Sequence, residues 1–408
     1  MRLLILTQYF PPEVGAPQNR LFELAVRLQK MGIDVTILTA MPNYPKMIIH
    51  KEYEGKKYFY EEMELLKVHR ASIYVSTDRS IIKRLLNYFS FVYSSYRIGL
   101  KKTGKFDYIF CESPPLFLGI SAYLLAKSKK AKLIFNVSDL WPESAEKLGL
   151  VTNKLLLGVS TKLEEFLYRK SALITGQTKG IVANIKSRFP DKLVYWLPNG
   201  VDLSYYDPAN YTSEWSSAAG FKKEDKIFFY GGIIGHAQGL DIILNAAERL
   251  KERENIKFLL LGDGPEKERL IKRAGELGLK NIFFRAPVSK SEMPHIVAAI
   301  TASIIPLKKL DLFKGAIPSK IFESLAMKKP ILLGVDGEAK ELFIDEGKCG
   351  MFFTPESVDE LVKGILFMVD NPDEMKKWAE NARNYVYRKF NRNLIAENFY
   401  QLLNQNMG

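Results

Sequence analysis

A chain of 408 residues exceeds what one hydrophobic core usually supports, so two domains of roughly 200 residues each are expected. With 47% hydrophobic and 26% charged residues, the make-up is that of a folded globular protein, which excludes a disordered or fibrous chain. The net charge of +13 is lopsided: residues 1–200 hold 30 Lys and Arg against 17 Asp and Glu, while residues 201–408 hold 29 of each. A basic first half suits a polyanion, either nucleic acid or the anionic inner leaflet of a membrane, or serves only as a solubilising surface. Cys111 and Cys349 are too few for a disulfide framework and have no metal-site context, which fits a reducing cytoplasm. The longest apolar run, residues 116–126, is about half of what a bilayer requires, and the apolar start breaks at Pro11 and Pro12, too early for a signal peptide.

From the amino terminus, residues 2–7 (RLLILT) read as a buried strand, followed by the turn-rich YFPPEVGAP and a helix over about 18–31. Leu21, Leu24, Ala25 and Leu28 give that helix one apolar face, and Gly32 ends it before a strand at 34–39. Gly15 stands just ahead of the helix, where free N–H groups and the helix dipole favour an anion such as phosphate, although a glycine in that place is more often a plain turn. Residues 78–105 combine Arg79, Lys83, Arg84, Arg97, Lys101, Lys102 and Lys105 with five aromatics, as an interfacial membrane helix would, although a core helix packed on a sheet fits too. Strands follow at 108–111, 133–137, 173–175 and 194–197. After the second of these, Asp139 could hold sugar hydroxyls, accept a proton or cap a helix, and Trp141 could stack on a sugar or fill the core.

The stretch LPNGVDLSYYDP (197–208) is a turn-rich break, after which strands at 227–230, 257–261, 282–285, 303–306 and 331–334 alternate with helices. Two helices close the chain at 372–390 and 392–404. The fold class is therefore α/β: two Rossmann-like, doubly wound parallel sheets facing a cleft, with ligands at the carboxyl ends of strands. Gly231, Gly232, Gly235 and Gly239 crowd the loop after the first strand of the second half and suggest a phosphate cradle without the GxGxxG spacing. Gly262 belongs to a second cluster, LGDGPE, after the next strand. Lys320 and Glu323, three apart, share a helix face; a lysine suits a diphosphate and a carboxylate suits ribose hydroxyls, with a surface ion pair as the alternative. The sequence has no Asp-x-Asp pair, no histidine spacing for a metal, no GxSxG and no Walker lysine loop.

Taken together, YFPPEVGAPQNR, DLWPES, LPNGVD, GGIIGHAQGLD, LGDGPE and PSKIFESLAMKKP resemble glycosyltransferase family 4, with the GT-B fold, over essentially the whole chain. The likeness extends to the bacterial O-antigen and exopolysaccharide enzymes that include WbuB-type L-fucosamine transferases. It implies domains at 1–198 and 199–390, with 391–408 returning as a helix to the first. It implies Gly15 on the donor phosphate, the loop with Gly232, Gly235 and Gln238 at the diphosphate, backbone near Ala286 and Val288 at the base, and Glu323 on the ribose. A retaining transfer from a UDP-linked sugar, without metal or other cofactor, would use positive groups to stabilise the leaving diphosphate. The sugar, an N-acetylated deoxyhexosamine for example, would pass to a polyprenyl-diphosphate-linked acceptor on the inner face of the cell membrane, for capsule, lipopolysaccharide or exopolysaccharide.

The chain departs from the family pattern at three places. Gly315 replaces the first of two signature glutamates, Ile233 and Gln238 replace the usual Arg and Lys, and Ser138 followed by Asp139 replaces a histidine. Lys320 would then supply the missing diphosphate charge and Asp139 the missing contact. A catalytically silent binding subunit of a polysaccharide assembly complex and a sugar-nucleotide epimerase remain alternatives. Nucleic-acid binding ranks last for want of a reader motif.

Overall fold

The computed structural model describes residues 1–405 apart from Arg79, Leu148 and Leu150. The chain forms two compact units, Met1–Asn199 with Ile395–Gly408 and Gly200–Leu394.

Unit 1 runs β1 (Arg2–Leu6), α1 (Ala16–Lys30), β2 (Asp34–Ala40), β3 (Tyr58–Met63), β4 (Leu66–Ala71), α2 (Ile81–Lys102), β5 (Tyr108–Ser113), α3 (Leu118–Lys129), β6 (Lys132–Val137), α4 (Glu143–Lys147), α5 (Lys154–Lys170), β7 (Leu173–Gly176), α6 (Lys179–Arg188) and β8 (Val194–Trp196). Its sheet has the order β3-β4-β2-β1-β5-β6-β7-β8. All neighbours are parallel except the β3–β4 hairpin at one edge. β1 is buried along Leu3–Leu6 because both of its faces are covered, which is why it reads as a continuous apolar run and not an alternating one. The apolar face of α1, with Leu21, Leu24, Ala25 and Leu28, packs in the same core as Ile5 and Phe110.

Unit 2 continues with α7 (Glu214–Ala218), β9 (Lys226–Gly231), α8 (Asp241–Arg249), β10 (Ile256–Leu261), α9 (Lys267–Glu276), β11 (Ile282–Arg285), α10 (Met293–Ala299), β12 (Ala302–Pro306), α11 (Lys320–Ala326), β13 (Ile331–Gly334), α12 (Glu338–Lys340), β14 (Gly350–Phe352), α13 (Val358–Asp370) and α14 (Pro372–Lys389). Its sheet, β11-β10-β9-β12-β13-β14, is wholly parallel, and the order reverses between β9 and β12. The last helix, α15 (Arg392–Gln405), begins in unit 2 and ends in the core of unit 1 through Ala396, Phe399 and Leu403.

The strands expected from sequence lie within one or two residues of those found. Three were not expected: β3, β4 and β14. β3 (YFYEEM) is a charged, half-exposed edge strand, and β14 (GMF) is three residues long, so neither has an apolar run to read. The helix expected over 78–105 is α2, bounded by Ser80 and Thr103; Arg79, counted with its cations, lies outside the described residues.

Candidate functional site

In a doubly wound sheet the crevice forms where strand order reverses, because flanking connections leave in opposite directions there. In unit 2 that point is the carboxyl end of β9 and β12. The chain leaves β9 through the loop 231–239, which turns at Gly232 (φ 137) and again at Gly239 (φ 59) after a 3-10 turn at His236–Gln238. The Lys308 N–H donates to the Ala237 carbonyl at 3.0 Å, tying the loop after β9 to the one after β12. The Ser303 and Ser324 hydroxyls lie 2.7 Å apart and bind α11 to β12.

The two glycine clusters have different reasons to be glycine. A Cβ on Gly262 would stand 1.8 Å from the Gly232 carbonyl oxygen, and one on Gly264 would stand 2.3 Å from that of Ile234. The loop after β10 therefore lies backbone to backbone on the loop after β9, with Gly232 N–H donating to Leu261 and Ile234 N–H to Asp263. That packing alone accounts for Gly262. At Gly232, by contrast, a Cβ would meet the Lys320 ammonium at 3.0 Å. Gln238 folds its side chain back towards Gly235, where a Cβ would be 3.0 Å from its Oε1.

Lys320 and Glu323 share the first turn of α11, but they do not make the simple i,i+3 ion pair. The Lys320 Nζ lies 3.7 Å from the ring centroid of Tyr230, itself buried in β9. Burial pushes this ammonium down to about 7, and the Glu323 charge opposes the shift. Glu323 is half-buried, and burial raises its carboxyl above the usual range. The charge of Arg392, the nearby Tyr206 hydroxyl, and the charges of Lys290 and Lys320 all act in the other direction. Tyr206 and Arg392 were not singled out in sequence; the only hint was that Tyr206 ends the turn begun by LPNGVD. Ala286 is exposed and Val288 half-buried in the segment after β11. Gly315 is exposed, and a Cβ there would meet nothing within 4 Å.

In unit 1 the order reverses between β1 and β5. Gly15 caps α1 with extended backbone and no side-chain cap, and a Cβ there would collide with the Gln18 amide oxygen at 2.4 Å. Asp139 is exposed after β6 and accepts a hydrogen bond from the Ser144 hydroxyl at 2.7 Å. Trp141 packs edge-on against Phe117, centroids 5.4 Å apart, and joins the rim of the core. Beneath these residues lies a polar cluster that sequence reasoning missed. Arg20 donates from one Nη to Glu112 at 2.6 Å and to Ser138 at 2.9 Å, and Asn136 donates to the other Glu112 oxygen at 2.7 Å. Ser138, at the position of the family histidine, is thus tied to a buried Arg–Glu pair. A carboxylate inside the apolar strand YIFCES was the available signal. Among the described residues, no three His, Cys, Asp or Glu side chains gather as metal ligands.

Two Rossmann-like units of this kind, one with a glycine loop and a Lys–Glu turn at its switch point, have the GT-B architecture of glycosyltransferases. HepE of Anabaena, solved with UDP-glucose, shares the fold with a TM-score of 0.72 at 16% identity, covering 99% of this chain and 100% of its own. Residues 18–205 match the family Glycosyltransferase Family 4 and residues 212–385 match Glycosyl transferases group 1; the chain belongs to this class of glycosyltransferases. Over 412 residues it is 26% identical to WcaI of Escherichia coli (strain K12), a glycosyl transferase whose name assigns it provisionally to colanic acid biosynthesis, with 98% of each chain covered. It is 20% identical to O-antigen chain mannosyltransferase C of Escherichia coli, again over 98% of each.

Proposed function

We propose that the protein is a retaining, metal-independent glycosyltransferase that moves a sugar from a UDP-linked donor to a polyprenyl-diphosphate-linked glycan during synthesis of a bacterial surface polysaccharide. The observation that carries this reading is the first turn of α11, which sets the Lys320 ammonium beside Gly232 and the Glu323 carboxylate on the same face at the switch point of unit 2. A cation there offsets the charge that develops on the leaving diphosphate, and a carboxylate accepts from both ribose hydroxyls. The loop with Gly232, Gly235 and Gln238 faces the phosphates, and the backbone at Ala286 and Val288 takes the base. In unit 1, Asp139 takes a sugar hydroxyl or a proton. The UDP link draws support from HepE, solved with UDP-glucose, and the polysaccharide role from the names of WcaI and the O-antigen mannosyltransferase. An N-acetylated deoxyhexosamine donor, as in the L-fucosamine transferases, is the finer assignment.

Contact with the inner face of the membrane is supported by α2. Ile82, Leu86, Phe89 and Tyr93 form an exposed apolar stripe at helical spacing, and Arg97, Lys101 and Lys102 are exposed beyond it. No helix among the described residues is long and apolar enough to cross a membrane.

The test is nucleotide binding followed by turnover. At one hundred times its Kd, UDP stabilises the folded protein by about 2.7 kcal/mol, which raises the melting transition of a unit this size by roughly 5–10 °C. No shift with UDP, but one with a purine nucleotide, would overturn the uridine assignment. A catalytically silent binding subunit is the second reading, favoured by Gly315 at the position of a signature glutamate; hydrolysis of a bound UDP-sugar by the purified protein rules it out.

A further inference from the structure

Resting on the reading that α2 meets a membrane, we propose that α5 carries a second contact stripe and that α2, α3 and α5 form one plane. That plane seats unit 1 on an anionic bilayer, with the carboxyl ends of its strands turned towards the lipid.

The three helices lie side by side on one face of the sheet. Leu4 and Leu6 of β1 share a core with Phe91 of α2, Leu125 of α3 and Leu167 of α5, whereas the alternate residues Leu3 and Ile5 face the core that holds α1. The Ser95 and Ser121 hydroxyls, 2.9 Å apart, join α2 to α3. Between α3 and α5 the fit is close: a Cβ on Gly119 would stand 2.3 Å from Leu167, and Tyr123 meets Phe166 edge-on with centroids 4.9 Å apart. Since β4, β5 and β6 all run in one direction, each of these helices starts at the carboxyl end of the sheet and runs back along it.

α5 repeats the pattern of α2. Its buried face is Ser160, Glu164, Leu167 and Tyr168. On the opposite side Leu155 is 78% exposed, Val159 54% and Phe166 37%, at spacings that place them in one row along the helix. Arg169 and Lys170 are exposed in its last turn, as Lys101 and Lys102 are in the last turn of α2. A single leucine in water is ordinary, but two parallel rows on the same side of one layer are the mark of a contact surface.

The charge selects the partner. The three helices hold eleven Lys and Arg against two Asp and Glu, so nine of the thirteen excess positive charges of residues 1–200 lie on them. Neither acid stands alone: Glu164 is buried against Arg188, and Glu165 pairs with Arg169 at 3.0 Å. Helix dipoles explain basic last turns by themselves; they do not explain the apolar rows at the other ends. An anionic bilayer satisfies both, with the apolar rows among the acyl chains and the basic turns at the headgroups. One amphipathic stripe binds reversibly and leaves the unit free to roll about the helix axis. Neighbouring helices pack about 8–10 Å apart, so α2 and α5 stand roughly 20 Å from each other and fix a plane. The end of unit 1 that sinks is the one where Asp139 follows β6 and Gly15 follows β1.

The experiment uses the full chain and vesicles of phosphatidylglycerol or of phosphatidylcholine. Co-sedimentation should show binding at least about tenfold weaker to the neutral vesicles. Leu155→Asp with Val159→Asp should weaken binding to phosphatidylglycerol at least about tenfold, with little change in melting temperature because both side chains are mostly exposed. A milder readout covers a variant that fails to fold. Cys111 and Cys349 are buried, so a dye attaches selectively to Val159→Cys, Tyr93→Cys, Lys170→Cys or, on α1, Lys30→Cys. Acyl-chain-brominated phosphatidylglycerol should quench the dye at 159 and at 93 strongly, at 170 weakly and at 30 not at all. Quenching at 93 but not at 159, or full binding by the α5 double variant, would overturn the inference and leave the α2 contact standing. A wild-type dimer that the α5 variant dissolves would overturn it in favour of a second copy of the chain. A wild type that binds neither kind of vesicle would sink the membrane reading and this inference together, while its melting shift with UDP would still report on the transferase reading.

Discussion

Lys320 sets stability against binding. Its folded value of about 7 lies below the ordinary 10.5, so between those limits the unfolded chain holds more protons and stability rises with pH. Below about pH 7 both states are charged, and the folded protein bears the whole cost of burying the ammonium. Lys320→Met removes that cost at pH 6, where the variant should melt about 2–4 °C higher, an advantage that shrinks by pH 9. The same variant should bind UDP at least about tenfold more weakly at pH 6, since the charge beside Gly232 is gone. Melting curves at the two pH values, with and without UDP, check both parts; an unchanged gap between pH 6 and pH 9 would mean that the ammonium is not desolvated. The sequence shows Lys320 and Glu323 three apart on one turn, because that follows from helix geometry. It does not show that Lys320 rests on Tyr230 or that the charge of Arg392 bears on Glu323, since those partners come from other elements and no local spacing encodes them.

At the scale of elements, α2 has one buried face of small, polar and aromatic residues and one exposed apolar face. Asn87, Phe91, Ser95 and Gly99 recur every four residues and are buried, and a Cβ on Gly99 would strike Leu125 of α3 at 2.8 Å. The opposite stripe leaves Ile82 66% and Tyr93 62% exposed. The two readings open from sequence, core helix and interfacial helix, thus fall on different faces, the first realised and the second available. Replacing Ile82 and Tyr93 with Asp should cut binding to phosphatidylglycerol vesicles by at least about tenfold with little change in the melting temperature, because both side chains are mostly exposed. Reversing Lys101 and Lys102 should cost about 1 kcal/mol each at low salt and less at high salt. Co-sedimentation with vesicles measures both; unaltered binding would leave the stripe without a membrane role. Central strands such as β1, β9 and β13 were legible because burial on both faces demands apolar runs. The β3–β4 hairpin was not: one antiparallel partner and an open edge ask for no such pattern. The polar cluster of Arg20, Glu112, Asn136 and Ser138 was hidden for another reason, since it joins residues as far as 118 positions apart.

At the scale of the whole molecule, the chain leaves unit 1 after Asn199 and returns to it at Ile395, so unit 1 is completed only by a segment that follows the whole of unit 2. Phe399 is fully buried in that core, edge-on to Phe110 with centroids 6.0 Å apart, and the Tyr108 hydroxyl donates to the Leu403 carbonyl at 3.2 Å. Truncating a buried aromatic costs about 3–5 kcal/mol, through lost transfer energy and the cavity left behind. For a unit of this size, Phe399→Ala should lower the melting transition of unit 1 by roughly 10 °C. Phe399 packs within unit 1, against Phe110 and Tyr195, so the stabilisation by UDP should keep its size, since mass action depends only on the affinity of the site that binds. Scanning calorimetry of wild type and variant, each with and without UDP, separates the two effects. A Phe399→Ala protein that melts normally would show that α15 is dispensable to the first unit. One that loses the UDP shift would show that the helix also supports the nucleotide site, through Arg392 at its start.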